Sequence, residues 1–467
     1  MTPFLATLVL TPIDRSVPPP VAPAPLLDQP APETFALTDA VTVHLVTIPG
    51  LRKVAIDGRV QAGSTALAGG PTEATRALGW ILDAATQDVD GTELDILGDT
   101  LDMDLWSEFD HDDAGVYLRI PREHLATGVG HWGDVLLRPD LPRADLRLFQ
   151  RDLETFYEVE GPTSPSRLAR AALTHAWFPS DSPFGRRPDL GALDAVKRSD
   201  LFALHERWLG IAPIEVLVVG DVVRADIEPL LLAAIGDAGI PGEVAATPAP
   251  SSPADRVVAI DVKGQEQVAI RWRTSFPEAS HPDAVAARSV SWALGGHFLS
   301  RLNKNLREDK GYTYGAGARW SDLPGRGSLT VEVDVPTEFA AETVEEIRKE
   351  LAALGSDGLT VSERDDAALA ARQAHNETRQ NAESAVGWYA AWMERGSSAA
   401  AAKAQVAAMA TLDPAATRTF AARWLGEDGP QVWVFVGDRT TLEPELAQAG
   451  LTAMWVDPDD AILGVLP

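Results

Sequence analysis

Two periodicities divide the chain. Hydrophobic residues alternate with polar ones at residues 41–46, 54–60 and 116–120, and again at 257–262, 268–272 and 329–335, a period of two that predicts strands with one buried face. Elsewhere the spacing is helical: Leu146, Phe149, Leu153, Phe156 and Tyr157 fall on one face, and Ser164 followed by Pro165 supplies a cap and a favoured first position for the next helix. Strands with one polar face imply mostly antiparallel pairing, and helices must then cover the apolar face. The expected fold class is α+β, in two-layer sandwiches.

A repeat sets the number of such units. Arg207-Trp208-Leu209-Gly210 leads to Gly220-Asp221, and Arg423-Trp424-Leu425-Gly426 leads to Gly437-Asp438. Each copy predicts a helix ending at a glycine in the left-handed region, then a hydrophobic strand, residues 214–219 or 432–436, that stops at Gly-Asp. The chain therefore reads as a tandem duplication of one α+β unit. Prolines 18, 19, 20, 23, 25, 30 and 32 mark residues 1–32 as an extended arm, and a second Pro/Gly-rich break predicts a linker at 239–255. The expected domains are 33–238 and 256–467.

Composition narrows the function. The 467 residues contain no cysteine, which excludes disulfides, thiolate metal sites and thiol nucleophiles. A formal net charge of -28 opposes binding to nucleic acid or to anionic membranes, both of which need clustered cations. The apolar stretch at residues 4–10 has no preceding Lys or Arg and no small-residue cleavage pattern, so a cytoplasmic location is expected. No two of the nine histidines are three or four residues apart, which removes a helical metal clamp. His124 and His131 would lie ~10 Å apart along a helix, too far to share an ion. Asp110-His111-Asp112-Asp113 reads as a solvated turn between strands, with divalent-ion binding as the alternative. Neither a phosphate-binding loop nor a G-x-S-x-G elbow occurs.

One segment carries chemistry-bearing residues at a helix–strand junction, Gly295 to Gly315. Leu299, Leu302 and Leu306 make the expected buried stripe, leaving Arg307 near the helix end and Tyr314 beyond Gly311. A fixed cation and a neutral phenol donor together can polarise a carbonyl or steady an oxyanion. The plainer alternative is an arginine complementing the helix dipole and a tyrosine that packs.

The run Ser300-Arg301-Leu302 through Leu306-Arg307-Glu308, then Gly311, then Tyr314-Gly315, resembles the second-domain signature of the pitrilysin/insulinase metallopeptidases. Pro183-Phe184-Gly185, Gly191, Ser199-Asp200-Leu201 and Val218-Val219-Gly220-Asp221 add to the likeness in family order, over about residues 33–460. The resemblance implies two homologous α+β domains, like those of mitochondrial processing peptidase and its small bacterial relatives. It also implies an H-x-x-E-H zinc motif on the first long helix, ahead of a Gly-Thr pair. Gly91-Thr92 is present, yet the preceding helix offers Trp80, Asp83 and Ala84 at the corresponding register, and no histidine lies between His44 and His111. Asp83 alone would hold zinc poorly. Glu154 and Glu158, where a distal ligand would fall, then read as solvated charges. The expectation is no metal or cofactor in this chain, and a heterodimer with a homologous zinc-bearing subunit to which Arg307 and Tyr314 are presented for an unfolded peptide substrate. A catalytically inert binding paralogue is the alternative.

Overall fold

The computed structural model describes residues 24–67, 72–180, 182–240, 255–426 and 429–466. The stretch at 4–10, residues 1–23 of the Pro-rich arm and most of the expected linker lie outside the described residues.

The first sheet contains β1 (Glu33–Ala36), β2 (Val41–Thr47), β3 (Lys53–Val60), β4 (Asp104–Phe109), β5 (Ala114–Pro121) and β6 (Ile214–Gly220), in the order β1-β2-β6-β3-β5-β4. The second contains β7 (Arg256–Asp261), β8 (Gln267–Ser275), β9 (Ala316–Ser321), β10 (Ser328–Pro336), β11 (Gln431–Gly437) and β12 (Met454–Val456), in the order β12-β7-β11-β8-β10-β9. Matching β2 with β7, β3 with β8, β4 with β9, β5 with β10 and β6 with β11 makes the two orders the same, so the duplication read from the repeated motif is present in the topology. Parallel pairing joins β2 to β6 and, in the copy, β7 to β11. Antiparallel pairing joins the other matched neighbours. Only the outermost strand differs: β1 lies antiparallel on β2, whereas β12 lies parallel on β7.

Alternation along the strands sorts side chains to two faces. Val54, Ile56, Val60, Val116, Leu118 and Ile120 point into a core closed by helices Thr72–Ile81, Leu125–Leu137 and Arg198–Leu209. Gly58 belongs to this face because a Cβ there would come within 2.2 Å of the fully buried Trp132 ring. The second sheet repeats the plan, with Ile270, Trp272, Leu329, Val331 and Val333 against helices Ala340–Asp357 and Pro414–Trp424.

The opposite faces are covered by an exchange between the halves. Helix Ala382–Glu394 of the second half lays Ala385, Val386 and Tyr389 on Ala55, Leu217 and Val219 of the first sheet. Helix Pro165–Trp177 of the first half reciprocates with Leu168, Ala172 and Trp177 against Val258, Ile260, Val434 and Val436. Each sheet thus gains one helix beyond the two layers expected.

Two local expectations are corrected. Gly210 has φ -87°, and neither it nor Gly426 is among the left-handed glycines, so each repeated helix leaves through right-handed backbone. Leu302 and Leu306 are buried but Leu299 is 68% exposed, because helical backbone resumes only at Arg301. Where it is described, the arm is docked: residues 24–32 lie along the second half, with the Tyr389 hydroxyl donating to the Pro30 carbonyl at 2.7 Å and Leu27 N to Asn376 Oδ1 at 3.0 Å.

Candidate functional site

Arg307 and Tyr314 sit on either side of a turn that is tied down at both ends. Asn303 Nδ2 donates to the Ala316 carbonyl at 2.7 Å and its Oδ1 accepts from Ala316 N at 3.0 Å, which pins the start of β9 to the helical segment before it. Tyr312 stacks on Phe339 with centroids 4.3 Å apart, and Gly311 takes φ +70°, a backbone state glycine adopts without strain. With Tyr312 doing the packing, Tyr314 is left 96% exposed. Arg307 lies with its guanidinium carbon 3.9 Å from the centre of the Phe298 ring, and Glu308 is 3.9 Å away. The turn borders a cavity of about 760 Å³ that Tyr314 shares with Arg271, Glu332 and Asp334; Arg307 is not among its lining residues. The pair therefore flanks one junction without both side chains entering one pocket. Below it, burial works against the charge of Glu346, but hydrogen bonds from Asn305, Lys349 and Lys310 hold its carboxyl down to about 2, which fixes this end of helix Ala340–Asp357 to the junction.

In the first half, the helix expected to bear a zinc motif spans Thr72–Ile81. Packing decides what the register centred on Trp80 and Asp83 presents. Trp80 leans on Phe149 and is 46% exposed, and Asp83 turns away to accept from Ser107 N at 2.9 Å. What faces the neighbouring helical segment is one turn earlier: Arg76 donates to the Tyr157 hydroxyl at 2.6 Å. Beside it Glu73 is buried and accepts from Asp189 N at 2.7 Å. Burial pushes its carboxyl up, against the pull of that hydrogen bond and of Arg76. Among the described residues no group of three or more His, Asp or Glu side chains is placed to hold a metal ion. A guanidinium and a phenol supply no lone pair that competes for zinc at neutral pH.

A charged cluster that sequence reading missed lies between the halves, in a cleft of about 790 Å³ under helix Ala382–Glu394. Arg59 on β3 donates to Asp57 at 3.1 Å and to Asp113 at 3.0 Å, and also to Glu394 of the second half. Burial, together with repulsion from Glu394, Asp57 and Asp110, pushes Asp113 up to about 6 even though Arg59 pulls the other way. Asp112 is taken by Arg326 of the β9–β10 turn, and Arg119 by Glu383. The Asp110–Asp113 turn is thus neither simply solvated nor a metal site, since two of its carboxylates clasp arginines.

Comparison with known proteins fits this geometry. Residues 195–370 match the family model described as Peptidase M16 inactive domain. An uncharacterised zinc protease of Mycobacterium leprae is 27% identical over 190 residues, 39% of this chain and 42% of that protein, so the chain spans less than half of this curated relative. A crystal structure of a peptidase M16 inactive domain from Pseudomonas fluorescens superposes with a TM-score of 0.78 at 19% identity, covering 87% of this chain and 98% of that one. A protease from Helicobacter pylori gives 0.75 at 16% identity, over 86% and 98%. Residues 195–370 thus match an inactive-type domain of the M16, or pitrilysin-type, zinc peptidases, and the chain as a whole is similar in fold to solved structures of that kind. The two six-stranded α+β units are the fold that the resemblance implied.

Proposed function

We infer that this chain is the zinc-free half of a two-chain peptidase, offering Arg307 and Tyr314 to a substrate held at a homologous partner's zinc. The observation that carries the reading is Tyr314, an aromatic side chain 96% exposed on a turn braced by Asn303, Tyr312 and Gly311, where a packing role would have buried it. The attacking water would sit on the partner's metal. This chain's part is to bind: the phenol and the guanidinium donate hydrogen bonds to the peptide carbonyl as it gains charge. Outer strands β4 and β9 each leave one edge open within their sheets, which suits an unfolded peptide bound by main-chain hydrogen bonds. No helix among the described residues is long and apolar enough to cross a membrane, and the charge of -28 disfavours nucleic acid as a partner.

The test is to isolate the tagged chain with whatever binds it and assay unfolded peptides with and without chelator. Chelator-sensitive cleavage that needs a zinc-bearing companion and falls at least tenfold in both Arg307→Ala and Tyr314→Phe is expected. A stable complex without peptidase activity would instead establish the binding paralogue. Zinc held stoichiometrically by this chain alone would refute both.

A further inference from the structure

A second, open cavity of about 750 Å³, lined mostly by the first half with Ile462 of the second at its wall, has chemistry that the peptidase reading does not use. It lies where helix Thr72–Ile81, the β4–β5 turn, the helical turn Phe156–Glu160 and helix Pro165–Trp177 converge. Four arginines line it, Arg76, Arg167, Arg170 and Arg186, in a chain whose net charge is -28. Arg167 pairs with Glu160 at 2.7 Å. Arg76 spends one N–H on the neutral hydroxyl of Tyr157, which orients the guanidinium without neutralising it. Among the described residues, neither Arg76 nor Arg170 has a carboxylate within 4.0 Å. Within the wall Glu73 is only 1% exposed, and one of its oxygens has no hydrogen-bond partner. Burial of His175 pulls its pKa down, so at neutral pH it adds no charge of its own.

Guanidinium groups gathered around one concavity repel one another unless an anion sits among them, and their fork of N–H donors matches two oxygens of a carboxylate or phosphate. Glu73 and Asp110 are the acidic residues of the lining, and Asp110 is already engaged by His111 at 3.0 Å. The volume is that of a small-molecule site. A polyanion is disfavoured because the rest of the surface is strongly acidic. We propose that this cavity binds a small oxyanion, the carboxylate of a short peptide or a phosphate, gripped by Arg170 and by Arg76, which Tyr157 holds in position. The proposal concerns this chain alone and does not depend on the two-chain reading.

Calorimetric titration of the full chain at low salt, with inorganic phosphate, with trialanine and with trialanine amide, tests it. Saturable binding of phosphate or of the free-acid tripeptide is expected, with affinity falling at least tenfold in Arg76→Gln and in Arg170→Gln. Arg151→Gln, which removes a surface arginine paired with Asp152 outside the cavity, should leave it within twofold. Binding of phosphate alone identifies a phosphate-bearing ligand; binding of the tripeptide acid but not its amide identifies a peptide terminus. No saturation by either anion, equal binding of the amide, or unchanged affinity in both cavity variants would overturn the proposal. Arg76 and Arg170 are exposed, so their variants should fold, and far-ultraviolet circular dichroism checks that they do.

Discussion

Arg59→Met is the perturbation that most directly probes how the two halves are joined. The Arg59 side chain is 11% exposed, and it faces Asp57 at 2%, Asp113 at 15% and Glu394 at 31%. Removing one member of a buried ion cluster leaves the remaining charges without compensation, a loss of about 3–5 kcal/mol at pH 7. The loss should shrink in acid. Asp113 has its folded pKa raised to about 6 from an ordinary value of 3.8, so in the intact protein its contribution favours folding fully below 3.8 and is lost as pH rises through about 6. The span corresponds to about 3 kcal/mol between the two limits. Burial raises the Asp57 carboxyl too. Without the guanidinium both groups take protons more readily, so at pH 5 much of the penalty disappears. Urea unfolding of wild type and Arg59→Met at pH 7 and pH 5, followed by tryptophan fluorescence, measures it. A difference under about 1 kcal/mol at pH 7, or one of equal size at both pH values, would refute the reasoning.

Other outcomes follow from the same contacts. Asp113→Asn removes the titrating group and should flatten the pH dependence of unfolding between pH 4 and 7, which thermal melts across that range would reveal. Gly58→Ala forces a methyl into the Trp132 ring and should destabilise by about 1–3 kcal/mol, read from urea midpoints. Tyr389→Phe deletes the hydrogen bond to Pro30 at the cost of about 1 kcal/mol, and limited proteolysis should then cut within residues 24–32 faster than in wild type.

Much of the fold was legible because it is encoded locally. Strand alternation sorts buried from exposed positions without reference to distant chain, and the Arg-Trp-Leu-Gly repeat marks the same helix and strand in both halves. The misreadings came from tertiary context. Leu299, Leu302 and Leu306 are spaced as a helical stripe, yet the turn at 297–300 swings Leu299 outward. Arg59 and Asp57 alternate as solvent-facing residues should, but that face is roofed by a helix whose Glu394 lies 335 positions further along the chain. Nothing near β3 announces it. The arginine-lined cavity escaped for the same reason, since Arg76, Arg167 and Arg186 lie on separate elements that only folding gathers. Arg307 and Tyr314 stand out in the sequence because they are close together, and what their spacing could not convey is that Phe298 holds one while the other stands in solvent.

The traded helices bear on how such a chain can be divided. Severed between its sheets, either fragment would keep a greasy β surface and lose its lid: Leu217 and Val219 on one, Val434 and Val436 on the other, would meet water directly. Co-expressed fragments should therefore find each other and reassemble, and each made alone should aggregate. The topology is that of a duplication, but each unit depends on the other to cover its sheet.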